Sequence, residues 1–203
     1  MSSVIHFRRQ LFRPPDVVDV PGFSVRNVAI PDDVAAWLAL RDRAMADQMP
    51  RIRTWSESDF FSEMQSKSWW RSQRAWVAVA GDLRVAGGGD ERGESLDLAG
   101  ERRGSGDNRS PAKGTDGAGE LVGSVTLALR EGAASTLPVI HWLLVAPAWR
   151  RRGVGRLLMS HLELAAWNDG WREIELETHA GWSAAVAFYQ SMGYAPVRDR
   201  SPR

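Results

Sequence analysis

Val145-Ala-Pro-Ala-Trp-Arg150-Arg-Arg-Gly153-Val-Gly155 is the stretch from which the rest of this chain is read. It leaves Val139–Val145, a nearly all-apolar run of seven that suits a central strand covered on both faces. It enters a helical pattern whose inward positions are Leu157, Leu158, Leu162, Ala165 and Ala166, with Gly170 as the stop. Four arginines, Arg150, Arg151, Arg152 and Arg156, crowd this passage from strand to helix. A helix N-terminus presents unpaired N–H groups and the positive end of its dipole. Glycines let such backbone close on an anion, and guanidinium groups add charge-assisted bonds. The passage reads as a phosphate or diphosphate site. It is not a Walker A loop, because no Gly-Lys-Ser/Thr follows, and not a dinucleotide fingerprint, because Leu158 holds the third glycine position.

Outward from it, strands and helices alternate. Upstream, Phe23–Val28 reads as a strand and Pro31-Asp32-Asp33 as a helix start. Val34, Trp37, Leu38, Arg41 and Met45 follow the helical period from there. Thr54-Trp-Ser-Glu57 has the spacing of a capping box before an aromatic-rich helix. Ala75–Ala80 and Leu121–Leu129 read as paired strands. Downstream, Glu173–Thr178 alternates strictly, a strand with one acidic face of Glu173, Glu175 and Glu177 open to solvent. Ala184–Met192 reads as a helix closed by Gly193, and Tyr194–Val197 as a last strand. Between Gly87 and Glu120 lie ten glycines and no aromatic residue, a composition that cannot bury enough surface to order itself. It reads as a disordered expansion of a hairpin loop. The pattern is a mixed α/β (α+β) domain over residues 22–197 with helices on both sheet faces, preceded by an extension over 1–21 and followed by a basic tail over 198–203.

Composition removes several classes of function. The chain of 203 residues has 26 basic and 25 acidic side chains, a balance that argues against binding nucleic acid or an anionic membrane. The lack of cysteine excludes disulfides, thiolate metal sites and a cysteine nucleophile, and suits a cytoplasmic protein. No apolar run reaches membrane-spanning length. No metal is expected.

Two segments carry a family resemblance. Arg150-x-x-Gly153-x-Gly155 matches the [Gln/Arg]-x-x-Gly-x-[Gly/Ala] motif of the GNAT superfamily of acyl-CoA-dependent N-acyltransferases. Ala185-x-x-Phe188-Tyr189-x-x-x-Gly193-Tyr194, about thirty residues on, is similar to that family's second segment. The resemblance covers Gly119 to Val197. It implies a single domain on a splayed, mixed and mostly antiparallel sheet, with acetyl-CoA as acyl donor and a primary amine of a small molecule or peptide as acceptor. Backbone amides of Arg151, Arg152, Gly153, Val154, Gly155 and Arg156, with the Arg150 side chain nearby, would hold the diphosphate. Leu143, Leu144 and Val145 would pair with the pantetheine arm like an added strand. An amide near Leu144 or Val145 would donate to the thioester oxygen, and Tyr189 would protonate the leaving thiolate.

For the general base, His141 has a suitable pKa range. Two-residue alternation sets it on the face of Leu143 and Val145. Glu177 and His179 are further candidates. Trp182 stands where relatives often have asparagine; an indole packs against the arm but accepts no hydrogen bond. Trp55, Trp69 and Trp70 with Phe60 and Phe61 either wall the acceptor pocket or pack the core, whereas Trp142 and Trp167 read as packing residues. Relatives continue through a further strand whose place Val4–Phe12, a neighbouring subunit or nothing would take, so a monomer or a homodimer is expected. Competing readings are a non-catalytic acyl-CoA sensor and, with less support, a nucleic-acid binder using Arg150–Arg156 as a basic patch.

Overall fold

Ala75–Ala80 forms β3, and its alternate residues belong to opposite sides of the molecule. Trp76, Ala78 and Ala80 join one apolar cluster, Ala75 and Val77 another. A strand buried on both faces needs no polar alternation, which is why the central strands read as continuous apolar runs. A computed structural model describes residues 4–47, 52–81, 119–131 and 136–197 of the chain. The glycine-rich stretch lies outside the described residues up to 118, and so does the tail from 198; Glu120, counted above with that stretch, is the first residue of a strand.

The elements in chain order are β1 (Val4–Gln10), β2 (Phe23–Asn27), α1 (Val34–Met45), α2 (Glu57–Phe60), β3, β4 (Glu120–Glu131), β5 (Thr136–Val145), α3 (Val154–Asn168), β6 (Glu173–His179), α4 (Ser183–Ser191) and β7 (Ala195–Pro196). One seven-stranded sheet runs in the order β2-β3-β4-β5-β6-β1-β7. Every neighbouring pair is antiparallel except β5 and β6, which are parallel and share a single registered pair, Val139 with Glu175. Beyond that pair the two strands diverge.

Helices α3 and α4 cover one face. Val154, Leu158, Met159 and Leu162 of α3 meet Val125 and Leu127 of β4 and Ile174 and Leu176 of β6. Each such side chain stabilises the fold by roughly 1.5–3 kcal/mol relative to exposure. On the other face Trp37, Leu38 and Leu40 of α1 pack with Phe60, Met64 and Trp70. The Trp37 indole N–H donates to Ser124 Oγ at 2.9 Å, so this tryptophan is fixed on its sheet strand as well as buried. The capping box sits two residues later than the spacing suggested. Ser56 Oγ accepts from the Asp59 N–H at 3.2 Å while the Asp59 carboxylate accepts from the Ser56 N–H at 2.7 Å, and Arg53 clamps that carboxylate. The helix starts at Glu57, so only Ser56 occupies the capping position. After one turn it continues as a π-helical turn over Phe61–Gln65.

Of the three expected occupants beside β6, the structure holds the chain's own N-terminus. β1 pairs with β6 over seven residues, from Val4 opposite His179 to Gln10 opposite Glu173, and β7 pairs with the outer side of β1. This overturns the solvated acidic face at Glu175, whereas Glu177 stays exposed. The register sets Arg8 opposite Glu175, and Arg130 reaches from β4 to Glu175 at 2.6 Å and Glu177 at 2.5 Å. Glu175 is only 8% exposed. A buried carboxylate at the centre of two guanidinium groups is the opposite of a solvated one. A second buried pair secures β1: Arg9 meets Glu163 of α3 at 2.6 Å, and the Tyr194 hydroxyl donates to the same carboxylate at 3.0 Å.

Candidate functional site

The divergence of β5 from β6 opens the sheet, and a cavity of about 1300 Å³ occupies the gap. That exceeds the volume of a site for one drug-sized ligand. One end is walled by the turn between β5 and α3 and by α4; the other is bounded by Trp69, His141, Arg130 and Glu177.

At the first end Arg151 and Gly153 both have positive φ, 65° and 89°, so the backbone doubles back before α3 begins. Gly153 is the N-cap and offers no side chain, and the first intrahelical bond is from the Leu157 N–H to the Gly153 carbonyl at 2.9 Å. The amides of Val154, Gly155 and Arg156 have no intrahelical partner, as at any helix start. Gly155 lies against the neighbouring helix: a Cβ there would come within 3.2 Å of the Phe188 ring. Gly153, Gly155, Arg151 and Arg156 line the cavity.

The four arginines divide. Arg151 faces the cavity; Arg156 lines it while bonding Ser191 Oγ at 3.0 Å. Arg152 does not line it, and its guanidinium stacks 5.0 Å from the Trp149 ring. Arg150 touches the cavity wall, but its guanidinium is turned to Val145, Ala44 and Asp47. The Val154 side chain is in the core, so only its backbone serves the turn. Leu143, Leu144, Val145 and Trp182 all line the cavity, the last with its indole 4.6 Å from the His179 ring.

Tyr189 is 8% exposed and borders the cavity, packed between Phe188, Tyr194 and Phe7. Burial raises its pKa well above that of an ordinary phenol, so it stays protonated across the working pH range. His141 borders the same cavity, but not on the face expected. Thr126 pairs with His141 and Ser124 with Leu144, so two steps on β4 oppose three on β5. Trp142, at φ 52°, is in the bulge that absorbs the extra residue. The bulge moves His141 to the side of Leu144, against Trp69 at 5.0 Å between ring centres, while Leu143 and Val145 pack with the α3 cluster. Its imidazole is open to the cavity and walled by protein elsewhere. That lost hydration lowers its pKa from the ordinary 6.5, with Glu177 pulling it back up and Arg130 pushing it further down.

Trp142 is more than packing: it stacks edge-on against Trp37 and Trp55 and also lines the cavity. Of the α2-region aromatics only Trp69 reaches the cavity; Trp55, Trp70, Phe60 and Phe61 pack in the cluster under α1. Arg130 and its pairing with Glu177 across the open strands were missed, because β5 intervenes between the two partners and no local pattern links them. Among the described residues no group of three or more metal-ligating side chains forms a metal site, and no helix is long and apolar enough to cross a membrane.

Known proteins share both a segment of this chain and its fold. Residues 114–196 match the family model for the acetyltransferase (GNAT) domain. The fold is similar to that of a GCN5-related N-acetyltransferase from Sphaerobacter thermophilus, with TM-score 0.64 at 18% identity over 96% of this chain and 48% of that one. It is also similar to aminoglycoside N-acetyltransferase AAC(6')-Iy in complex with CoA (TM-score 0.55, 16% identity, 89% of this chain and 93% of that one). The ribosomal-protein-S18-alanine N-acetyltransferase from Escherichia coli aligns with TM-score 0.51 at 17% identity, over 87% of this chain and 79% of that one. The chain spans about half the length of the Sphaerobacter protein. No curated protein sequence matches it significantly. Residues 114–196 are thus similar to the acetyltransferase (GNAT) domain, and the fold of the chain is that of these N-acetyltransferases.

Proposed function

We propose that this chain moves an acetyl group from acetyl-CoA to a primary amine of a small molecule or peptide, by direct attack with both substrates bound. The observation that carries the reading is the continuity of one cavity from the Gly153–Arg156 turn, past Leu143–Val145, to Tyr189 and His141. The residues present fit the donor: unpaired amides at the start of α3 suit a diphosphate, and strand edges left unpaired beyond Val139 suit an extended amide-bearing arm. Acetyl-CoA supplies an acyl group activated as a thioester.

The chain's residues then divide the work. His141, kept neutral by its lowered pKa, accepts the proton that the acceptor ammonium must lose, with Glu177 on the same wall. An amide at Leu144 or Val145 donates to the thioester oxygen as charge develops on it. Tyr189, held protonated, gives its proton to the departing thiolate. With no cysteine in the chain, direct transfer is favoured over a cysteine acyl-enzyme. Thiol release from acetyl-CoA across a panel of amines and peptides tests the reading. A chain that binds coenzyme A yet releases no thiol with any acceptor would be a sensor instead.

A further inference from the structure

Arg150 opens the glycine motif, and its sequence position directs it at an anion. Its three guanidinium nitrogens are committed elsewhere. Nε donates to the Val145 carbonyl at 3.2 Å, Nη2 donates to the Ala44 carbonyl at 2.8 Å, and Nη1 pairs with the Asp47 carboxylate. Ala44 is in the last turn of α1, whose carbonyls have no intrahelical partner and where positive charge is favoured. Asp47 lies just past that helix, and its hydrogen bond from Arg150 holds its carboxyl below the ordinary carboxylate pKa. One side chain therefore joins the end of β5, the end of α1 and the first residue of the turn that doubles back at Arg151 and Gly153. Ala44 and Met45 line the same cavity as that turn, on the wall away from α3. To serve as a phosphate ligand, Arg150 would have to abandon Asp47 and leave the Ala44 carbonyl without its donor.

We propose that Arg150 is a positioning residue which couples occupation of the turn to the placement of the α1 end that walls the same cavity. The proposal rests on the acyl-CoA reading above. A diphosphate that fixes the turn thereby fixes Ala44 and Met45, and linkage requires that an acceptor contacting that wall tighten the donor in return.

The test uses the full chain with coenzyme A as the probe. Hydrogen exchange is followed over residues 42–47 with and without it, and affinity is measured by calorimetry at two salt concentrations. In the wild type, coenzyme A slows exchange at 42–47 by threefold or more. Asp47→Ala, which removes one acceptor of Arg150 and no residue of the turn, abolishes that slowing while affinity stays within threefold. Arg150→Lys and Arg150→Gln lose the slowing equally, because neither supplies the planar set of donors that reaches three acceptors at once. A strut of purely structural role would protect 42–47 to the same extent with and without coenzyme A, and that result overturns the coupling. So does a tenfold loss of affinity in Arg150→Gln that Arg150→Lys restores with steep salt dependence, the signature of a phosphate ligand. A wild-type chain that does not bind coenzyme A removes the donor reading itself, and is seen before any variant is made.

Discussion

Replacing Gly153 by alanine tests the anion turn at its most constrained residue. The position has φ 89° and caps α3, a conformation that costs an L-residue with a Cβ about 1–2 kcal/mol. The added Cβ would also lie 3.1 and 3.3 Å from the two Val20 methyls, a crowding of a few tenths of an ångström against a half-buried side chain that has room to shift. Backbone strain is therefore the larger cost. For a chain of this size it corresponds to a melting temperature lower by roughly 2–8 °C. Relieving the strain by turning the peptide misdirects an amide that the diphosphate needs. A hydrogen bond to a charged group is worth about 1.5–3 kcal/mol, so coenzyme A affinity falls by a factor on the order of 10 to 100. Asparagine adopts the left-handed region more readily than alanine, and the order in both calorimetric assays should be Gly, then Asn, then Ala. Adding Val20→Ala to the alanine variant should recover only a minor part of the loss. If Gly153→Asn is worse than Gly153→Ala, or the double variant returns to wild type, space and not φ governs the turn and the argument is wrong.

Four further outcomes follow from the surroundings of single groups. Tyr189→Phe should lower turnover by a factor on the order of 10² or more with coenzyme A affinity unchanged, measured by thiol release and calorimetry; equal turnover removes its acid role. The acid limb of the kcat/KM profile should fall below the ordinary histidine value of 6.5, since lost hydration lowers the His141 pKa, and His141→Gln should abolish that limb. The folded-state pKa of Glu163 is raised above 4.5 by burial, against the opposing pull of Arg9 and Tyr194, so the native chain holds this proton more tightly than the unfolded chain. The stability this contributes is present below about pH 4.5 and is lost as pH rises through the folded pKa. The stability difference between wild type and Glu163→Gln in urea melts should therefore fall across that window; a flat difference refutes the sign. Arg9→Ala, which leaves the Glu163 carboxylate buried without its cation, should cost about 3–5 kcal/mol in the same melts at neutral pH.

The elements that could be read from sequence are those whose signal is local. β3 matches the expected span, and α3 starts directly after Gly153, because apolar continuity, helical period and a glycine turn each lie within a dozen residues. The glycine turn before α3 is legible for the same reason. What escaped depends on distant partners or on backbone alone. β1, one of three candidates for the place beside β6, has a single deeply buried side chain, Phe7, among exposed and half-buried neighbours, so its own pattern does not single it out over a neighbouring subunit. Without β1 as partner the glutamates of β6 read as a solvated face. His141 was placed on the wrong face because simple alternation fails at a bulge, and a positive φ at a tryptophan leaves no mark in residue type. The pairing of Arg150 with Asp47, 103 residues earlier, is invisible to any local motif.

The gap that makes the site follows from the topology. Four strands, β2 to β5, form one antiparallel block, and β6, β1 and β7 form another. The blocks meet at the one parallel junction, where α3 carries the chain across from the end of β5 to the start of β6. In open α/β sheets a ligand crevice forms at the carboxyl ends of strands where chain direction reorganises, next to the N-terminus of the following helix. Here the same geometry arises in a mostly antiparallel sheet. Because only Val139 and Glu175 register across the junction, β5 keeps free backbone edges beyond that point, and the turn at Gly153 lies directly downstream. Arg130 spans the other side of the opening by reaching over β5 to Glu175 and Glu177. The opening is thus held between two arginine bridges, Arg130 from β4 to β6 and Arg150 from the turn to α1. Each joins elements that are not neighbours in sequence, so the two sides of the opening are tied to the rest of the fold by side chains and not by strand pairing.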